Sequence, residues 1–250
     1  MIDLMTNGSL IDEDIIAMFK EYPPHNISIT VYGTNEEEYA QFTGNGKNYF
    51  SVIRALELLR KEQISFNIRT VATKTLYTAI ANGSFDLLAE KLNVPFRYDP
   101  IIFPKVTGEK TPLNECLSPI EIVQLENANE LRSKSWNEIL SNKSTFDWKC
   151  RAGENSLSID YQGNAHVCGL YREQGISLLT EDISLVMKHL SEIHEKHKCI
   201  IRKSECNECE YRNICKWCPA YSLVYNGNEN SKIPFFCELA RCRSESFERK

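Results

Sequence analysis

Hydrophobic and polar positions alternate along the first 140 residues in a way that predicts strands followed by helices. β-Branched and aromatic runs closed by turn residues predict strands at residues 2–6, 27–32, 66–72 and 96–103. Apolar residues at three- and four-residue spacing predict helices at residues 12–20, 48–61 and 85–92. The sequence Ser-Pro-Ile-Glu from Ser118 has the pattern of a capping box and predicts the start of another helix. This alternation favours an α/β fold with a parallel sheet and crossover helices.

The distribution of cysteines divides the chain into two parts. Of the ten cysteines, Cys116 alone precedes residue 150, and the other nine fall between Cys150 and Cys242. We therefore predict a boundary in the polar stretch 141–145, with an α/β domain over residues 1–143 and a cysteine-rich domain over residues 144–250. Four strands are too few to close a parallel barrel, and parallel sheets are normally buried on both faces. We expect the first domain to expose apolar surface at its first strand.

Charge and hydropathy exclude several classes of function. The net charge is −5, and no block of basic residues is present, which argues against nucleic acid as a main partner. No apolar run approaches the ~20 residues that a membrane span needs. The first residues lack the basic and apolar regions of a secretory signal, so a cytoplasmic location is expected. Disulfides are rare in the cytoplasm, so dense cysteine spacing indicates metal binding.

The spacing of the cysteines is the strongest chemical signal in the sequence. A central run, Cys206-x2-Cys209-x5-Cys215-x2-Cys218, is followed by Cys237 after eighteen residues and preceded by Cys150-x12-Gly163-x4-Cys168. Two-residue spacing lets two thiolates of one tight turn bind the same metal or cluster. So many thiolates imply two sites. Structural zinc in a four-cysteine ribbon remains an alternative, and so does a disulfide framework. By default the remaining cysteines are small buried apolar residues, with the last two as spare ligands: Cys116, Cys199 and Cys242.

This cysteine pattern resembles the SPASM domain of radical-SAM peptide maturases, in which three residues, not two, usually precede the fourth cysteine of the central run. The first half is similar to the catalytic barrel of the same family. Met5-Thr6-Asn7-Gly8 resembles the end of its third strand, and residues 27–33 resemble its fourth strand. The resemblance implies an incomplete parallel (β/α) barrel followed by a small cysteine-rich, cluster-binding domain. The Cys-x3-Cys-x2-Cys loop that holds the family's catalytic cluster is not in the sequence. The expectation is therefore the C-terminal portion of a maturase, from a truncated or split gene or an internal start.

The resemblance also implies roles for individual residues. One auxiliary [4Fe-4S] cluster would be held by four cysteines: Cys206, Cys209, Cys215 and Cys237. The other would be held by Cys150, Cys168 and Cys218, with a fourth position open to substrate or filled by a spare cysteine. Asn7 and Thr30 would face S-adenosylmethionine (SAM), provided that the absent part of the barrel is supplied. The implied partners are a peptide substrate, a separate chain that supplies the other barrel half, and an electron donor such as flavodoxin or ferredoxin.

Two classes of function remain open on this basis. One is the C-terminal part of a peptide-modifying radical-SAM enzyme that is not catalytic alone. The other is a non-enzymatic peptide-docking or electron-transfer module, with zinc or clusters as structural metal. Four histidines are candidate ligands. His166 is expected to be an ordinary hairpin histidine, and a solvated helix face is expected for the other three: His189, His194 and His197.

Overall fold

The computed structural model describes residues 1–141, 148 and 150–247. The chain forms two compact units, one of Met1–Ile102 with Glu115–Leu117 and the other of Phe103–Asn114 with Ser118–Lys250. This division differs from the predicted boundary at residues 141–145, part of which lies outside the described residues.

The first unit is a four-stranded parallel sheet whose connections contain helices. Its strands are β1 (Asp3–Thr6), β2 (Asn26–Thr30), β3 (Phe66–Val71) and β4 (Phe96–Asp99). Its helices are α1 (Glu13–Glu21), α2 (Glu36–Thr43), α3 (Lys47–Lys61), α4 (Tyr77–Ala81) and α5 (Ser84–Leu92). The strands lie side by side in chain order, and every neighbouring pair is parallel. The predicted α/β class and parallel sheet are confirmed.

Local chemistry explains where these elements begin and end. Helix α1 starts after Asp12, whose side chain accepts a hydrogen bond of 3.0 Å from the backbone N–H of Ile15. Strand β4 ends at Asp99, four residues earlier than predicted, because Pro100 has no N–H to donate to a neighbouring strand. Helix α2 was not predicted. It opens on three glutamates that favour a helix N-terminus, and its side chains show little apolar periodicity.

The two faces of the sheet differ in polarity. The residues buried on β2 and β3 alternate along each strand: Ile27, Ile29, Phe66, Ile68 and Thr70. The partly exposed residues between them are mostly polar: Asn26, Ser28, Thr30, Asn67 and Arg69. Parallel sheets are normally buried on both faces, but the alternation along these strands suits a sheet with one packed face. Apolar exposure does occur at β1, where Met5 is 73% exposed.

The second unit combines helices with a small antiparallel sheet. Its strands are β5 (Ser158–Ile159), β6 (Asn164–His166) and β7 (Ile176–Ser177). Its helices are α6 (Pro119–Ala128), α7 (Glu130–Ser141), α8 (Ile183–Lys203), α9 (Pro219–Asn226) and α10 (Pro234–Phe247). Short 3-10 helices cover Thr111–Glu115 and Glu205–Glu208. Among the described residues, no helix combines the length and the apolar character needed to cross a membrane.

Helices α6 and α7 pack against α10, which places them with the cysteine-rich region. The predicted capping box is present, because Ser118 accepts from the Glu121 backbone and the Glu121 carboxylate accepts from the Ser118 backbone at 2.7 Å. Arg243 donates two hydrogen bonds of 2.9 and 2.7 Å to Glu126, and both side chains are almost fully buried. The Arg243 guanidinium also lies 4.1 Å from the centre of the Trp136 ring. This buried ion pair joins elements that the predicted boundary would separate.

The histidines of α8 do not share one solvated face. His194 and His197 are 0% and 4% exposed, so the expectation for these two is wrong, while His189 is half-buried. The reason is helical spacing: Leu190, His194, His197 and Ile201 follow one another at four, three and four residues and share the packed face.

Candidate metal centres

Four of the predicted ligands line one cavity of about 440 Å³ in the second unit. They are Cys206, Cys209, Cys215 and Cys237. Cys206 lies in the 3-10 helix Glu205–Glu208, Cys209 follows its end, and Cys237 lies in the first turn of α10. The apolar part of the wall includes Trp217, Ile233 and Phe236, which are all buried. Cys206 and Cys237 are thirty-one positions apart in the sequence, and the fold brings both to the same cavity.

The electrostatics of this cavity follow from the crowding of its thiols. Burial, with smaller contributions from the neighbouring Cys215 and Cys237, raises the pKa of Cys206 to about 11. Burial also raises the pKa of Cys215 and of Cys237, and the charge of Cys209 acts in the same direction on both. Thiolates that repel one another are stabilised by a shared cation, because the ligand charges are then compensated. The donor set and the cavity fit an iron–sulfur cluster, and four thiolates also fit zinc.

The other three predicted ligands form a second set. Burial, with smaller contributions from Cys168 and Cys150, raises the pKa of Cys218 to about 12, so both of these thiols lie near enough to Cys218 to act on it. Cys218 is the N-cap residue of α9, where backbone N–H groups oppose the effect of burial on its pKa. The backbone N–H of Tyr171 donates a hydrogen bond of 3.3 Å to the Cys168 sulfur. Cys168 and Cys218 pack against one apolar core, whereas Cys150 is exposed.

The remaining cysteines lie elsewhere on the fold. Cys199 is exposed on α8, and the Cys242 sulfur on α10 is 3.8 Å from a carboxylate oxygen of Glu238. Cys116 belongs to the first unit, where burial raises the pKa of its thiol. Which residue, if any, completes the three-cysteine set stays a prediction.

The candidate SAM-contacting residues lie at the carboxyl edge of the parallel sheet. Asn7 directly follows β1, and its side-chain oxygen accepts hydrogen bonds of 3.1 and 2.9 Å from the backbone and hydroxyl of Ser9. Thr30 is the last residue of β2 and is paired in register with Arg69 of β3. Asp99, at the end of β4, forms an ion pair with Arg69. Polar groups of all four strands therefore lie at or near one edge of the sheet, the edge at which parallel β/α folds have their binding and catalytic sites.

The structure also shows polar clusters that sequence reasoning missed. Ligand atoms of Glu154, His194 and Glu195 lie within 4.8 Å of one another, and Lys198 donates hydrogen bonds of 2.9 and 2.7 Å to the two carboxylates. The His194 Nδ1 lies 2.8 Å from the Ala152 carbonyl oxygen. These contacts fasten the segment after Cys150 to α8. The only available signal was the position of His194 on the apolar stripe of its helix.

Two further residues are buried polar groups, and sequence reasoning missed the second of them. His166 of the hairpin is buried, and its Nε2 lies 3.0 Å from Asp160, a contact that holds the pKa of this carboxyl well below its usual range. Arg212 is 3% exposed and lines the four-cysteine cavity. Its position three residues after Cys209 in the central run is a signal that could have drawn attention to it.

Comparisons with known proteins indicate which fold the chain shares. No family model matches the chain. A curated relative, the AdoMet-dependent heme synthase of Methanosarcina barkeri (strain Fusaro / DSM 804), is 22% identical over 266 residues, which cover 93% of this chain and 73% of the relative. The solved structure of native anSMEcpe with bound AdoMet and Cp18Cys peptide matches with a TM-score of 0.67 and 19% identity, covering 99% of this chain and 74% of that one. Native anSMEcpe with bound AdoMet matches with a TM-score of 0.66 and 18% identity, over 99% and 72% of the two chains. The chain therefore has the α/β fold of these AdoMet-bound structures.

Proposed function

We propose that this chain is an iron–sulfur protein of the radical-SAM/SPASM kind, which holds two auxiliary clusters and serves the modification of a peptide. The observation that carries this proposal is that four of the cysteines line one cavity, while Cys168 and Cys150 both lie near enough to Cys218 to raise its pKa. The two sets are those that the resemblance implies. The fold shared with anSMEcpe supports the same assignment.

The sulfur chemistry supports clusters in both sets. Iron–sulfur clusters are held by thiolates, and hydrogen bonds to sulfur together with burial set their potential. The backbone N–H of Tyr171 supplies such a bond to Cys168, and the N-terminus of α9 stabilises negative charge on Cys218. When bound, the clusters would supply one-electron chemistry. The residues around them fix the ligand positions, and the wall of the four-cysteine cavity includes the apolar side chains of Trp217, Ile233 and Phe236.

A role for SAM and for a peptide is proposed by analogy with the solved relatives. Both anSMEcpe structures contain AdoMet, and one contains a peptide as well. Asn7 and Thr30 lie at the carboxyl edge of the sheet, and we assign them to SAM binding. The polar face of β2 and β3 offers hydrogen-bonding groups to ligands on that side of the sheet.

The loop that holds the catalytic cluster in the radical-SAM family limits what this chain can do alone. No Cys-x3-Cys-x2-Cys spacing occurs in the 250 residues. A cluster that presents an open iron to SAM needs such ligands. We therefore propose that these residues do not generate a radical alone, and that a separate chain carrying the loop and a flavodoxin or ferredoxin act with them.

Metal analysis of the purified protein tests the proposal. After anaerobic reconstitution, the expected content is about eight irons and about eight sulfides per chain, the content of two cubane clusters. About four irons with sulfide would remove the three-cysteine set from the proposal. Tightly bound zinc without sulfide would overturn it, and would favour the alternative of a non-enzymatic docking module with structural metal.

A further inference from the structure

Arg212 occupies a buried position within the cysteine-rich region. Its side chain is 3% exposed, and it forms part of the wall of the four-cysteine cavity. The Nη1 group donates a hydrogen bond of 3.1 Å to the carbonyl oxygen of Trp217, and the guanidinium carbon lies 5.6 Å from the centre of the Trp217 ring. These contacts fix the guanidinium in one place, as a planar group that stacks and donates at the same time.

The charge of Arg212 acts on both sets of cysteines. It lies in the wall of the four-cysteine cavity together with Cys206 and Cys215, and it lowers the pKa of both thiols. Cys218, the N-cap residue of α9 and a member of the three-cysteine set, directly follows Trp217, whose carbonyl oxygen accepts the Arg212 hydrogen bond, and it too interacts with the Arg212 charge. Arg212 is thus a fixed cation whose field reaches both candidate metal centres.

We propose that Arg212 raises the reduction potentials of both clusters through its positive charge. Adding an electron to a cluster makes it more negative, and a nearby cation stabilises the reduced form more than the oxidised form. Burial strengthens this effect, because less water screens the charge. The inference rests on the proposed function, since it requires that both sets hold clusters.

Two substitutions separate the charge of Arg212 from its structural contacts. Arg212→Lys keeps the charge but loses the planar donor group that stacks on Trp217. Arg212→Gln removes the charge but keeps an N–H group that can donate to the Trp217 carbonyl. A purely structural role therefore predicts that the Lys variant departs from wild type at least as far as the Gln variant. An electrostatic role predicts that the Gln variant departs further from wild type than the Lys variant.

The test is a redox titration of both clusters, monitored by EPR, in wild type and variants with measured iron and sulfide contents. For Arg212→Gln we expect both midpoint potentials to become more negative by about 59 mV. For one electron, this shift corresponds to an equilibrium constant of reduction that is about tenfold smaller. Arg212→Lys should stay close to wild type. Arg241→Gln is the matched control, because Arg241 is exposed on α10 and pairs with Glu238 and Glu245. Its potentials should not change.

Each other outcome also decides the question. Unchanged potentials in Arg212→Gln, equal shifts in both variants, or a shift of one cluster alone would overturn the proposal for Arg212. If the Gln variant takes up less iron while the Lys variant loads fully, the charge role is supported, and equal loss in both would overturn it. Wild-type protein without iron would instead overturn the proposed function, and the role of Arg212 with it.

Discussion

At the scale of single residues, the clustered cysteine thiols of this protein resist deprotonation when no cation is bound. Burial raises the pKa of Cys206 and of Cys218, and neighbouring thiols add to the effect. Metal binds the deprotonated sulfur, so loading releases protons and weakens as the pH falls. The same crowding makes the two sets chemically separable, because each is sensitive to the loss of its own ligands.

Replacement of one ligand should remove one cluster and leave the other. In Cys209→Ala the four-cysteine cavity loses a thiolate, whereas the set around Cys218 is untouched. The expected iron content falls from about eight to about four per chain, with sulfide in proportion. Cys116→Ala is the control, because Cys116 lies in the first unit and should leave both contents unchanged. Complete loss of iron from Cys209→Ala would show that the seven cysteines do not form two independent sites.

His197 should make stability depend on pH. Burial lowers the pKa of His197 from 6.5 to about 4. The described residues offer no hydrogen-bond partner to its Nε2, and its ring packs edge-on against Tyr171 at 4.7 Å. Between pH 6.5 and 4 the unfolded chain binds the proton that the folded chain rejects. Stability is therefore full above this window and is lost as the pH falls through it.

Urea denaturation at pH 7 and pH 5 measures this effect. His197→Phe keeps an aromatic ring against Tyr171 but cannot take up a proton. The free energy of unfolding of wild type should fall more between the two pH values than that of His197→Phe. An identical fall in both proteins would show that other groups cause the loss.

At the scale of elements, the second unit should be sensitive to the loss of either partner of the buried ion pair between α6 and α10. Glu126 and Arg243 have side chains that are 1% and 3% exposed. Glu126→Gln leaves the Arg243 charge buried without its counterion, which costs about 3–5 kcal/mol. Glu245→Gln is the control, because it breaks an exposed pair with Arg241 on the same helix and should cost less than about 1 kcal/mol. Equal midpoints of urea denaturation for the two variants would contradict this assignment.

The elements that could be predicted from sequence are those whose local signals agree with their packing. The capping box at Ser118 and the β-branched runs of β2 and β3 needed no long-range information. Helix α2 has weak periodicity, and α4 is five residues long, so neither had a local pattern to reveal it. The unit boundary was beyond local reasoning, because it reflects contacts between distant parts of the chain, such as the one between Glu126 and Arg243, 117 positions apart.

The candidate sites divide in the same way. Cysteine spacing indicated two sites, but the grouping of Cys206, Cys209 and Cys215 came from the resemblance, since two-residue spacing by itself would pair Cys215 with Cys218. The burial of Arg212 could not be read from spacing, since arginine is most often exposed. Its environment comes from contacts with Trp217, which only the folded chain provides. For His194 the helical spacing of α8 carried the signal, and the contact with the Ala152 carbonyl did not.

At the scale of the whole molecule, the proposed function predicts that this chain alone does not cleave SAM reductively. The 250 residues contain no Cys-x3-Cys-x2-Cys spacing, so the reconstituted protein with dithionite should form no 5′-deoxyadenosine from SAM. Liquid chromatography against a sample without protein measures this. Formation of 5′-deoxyadenosine would show that one of the two cysteine sets presents an open iron to SAM. The variant Cys218→Ala would then show whether the three-cysteine set is responsible.

The unequal faces of the parallel sheet also bear on how this sequence can vary. Side chains alternate between faces along β2 and β3, so a scan of all substitutions should show tolerance with a period of two residues. Positions such as Ile29 and Ile68 should accept few replacements, while Ser28 and Asn67 should accept many without loss of folding. A sheet of this kind separates the residues that keep the fold from those that meet a ligand. New binding preferences can therefore arise on the polar face while the packed face stays constant.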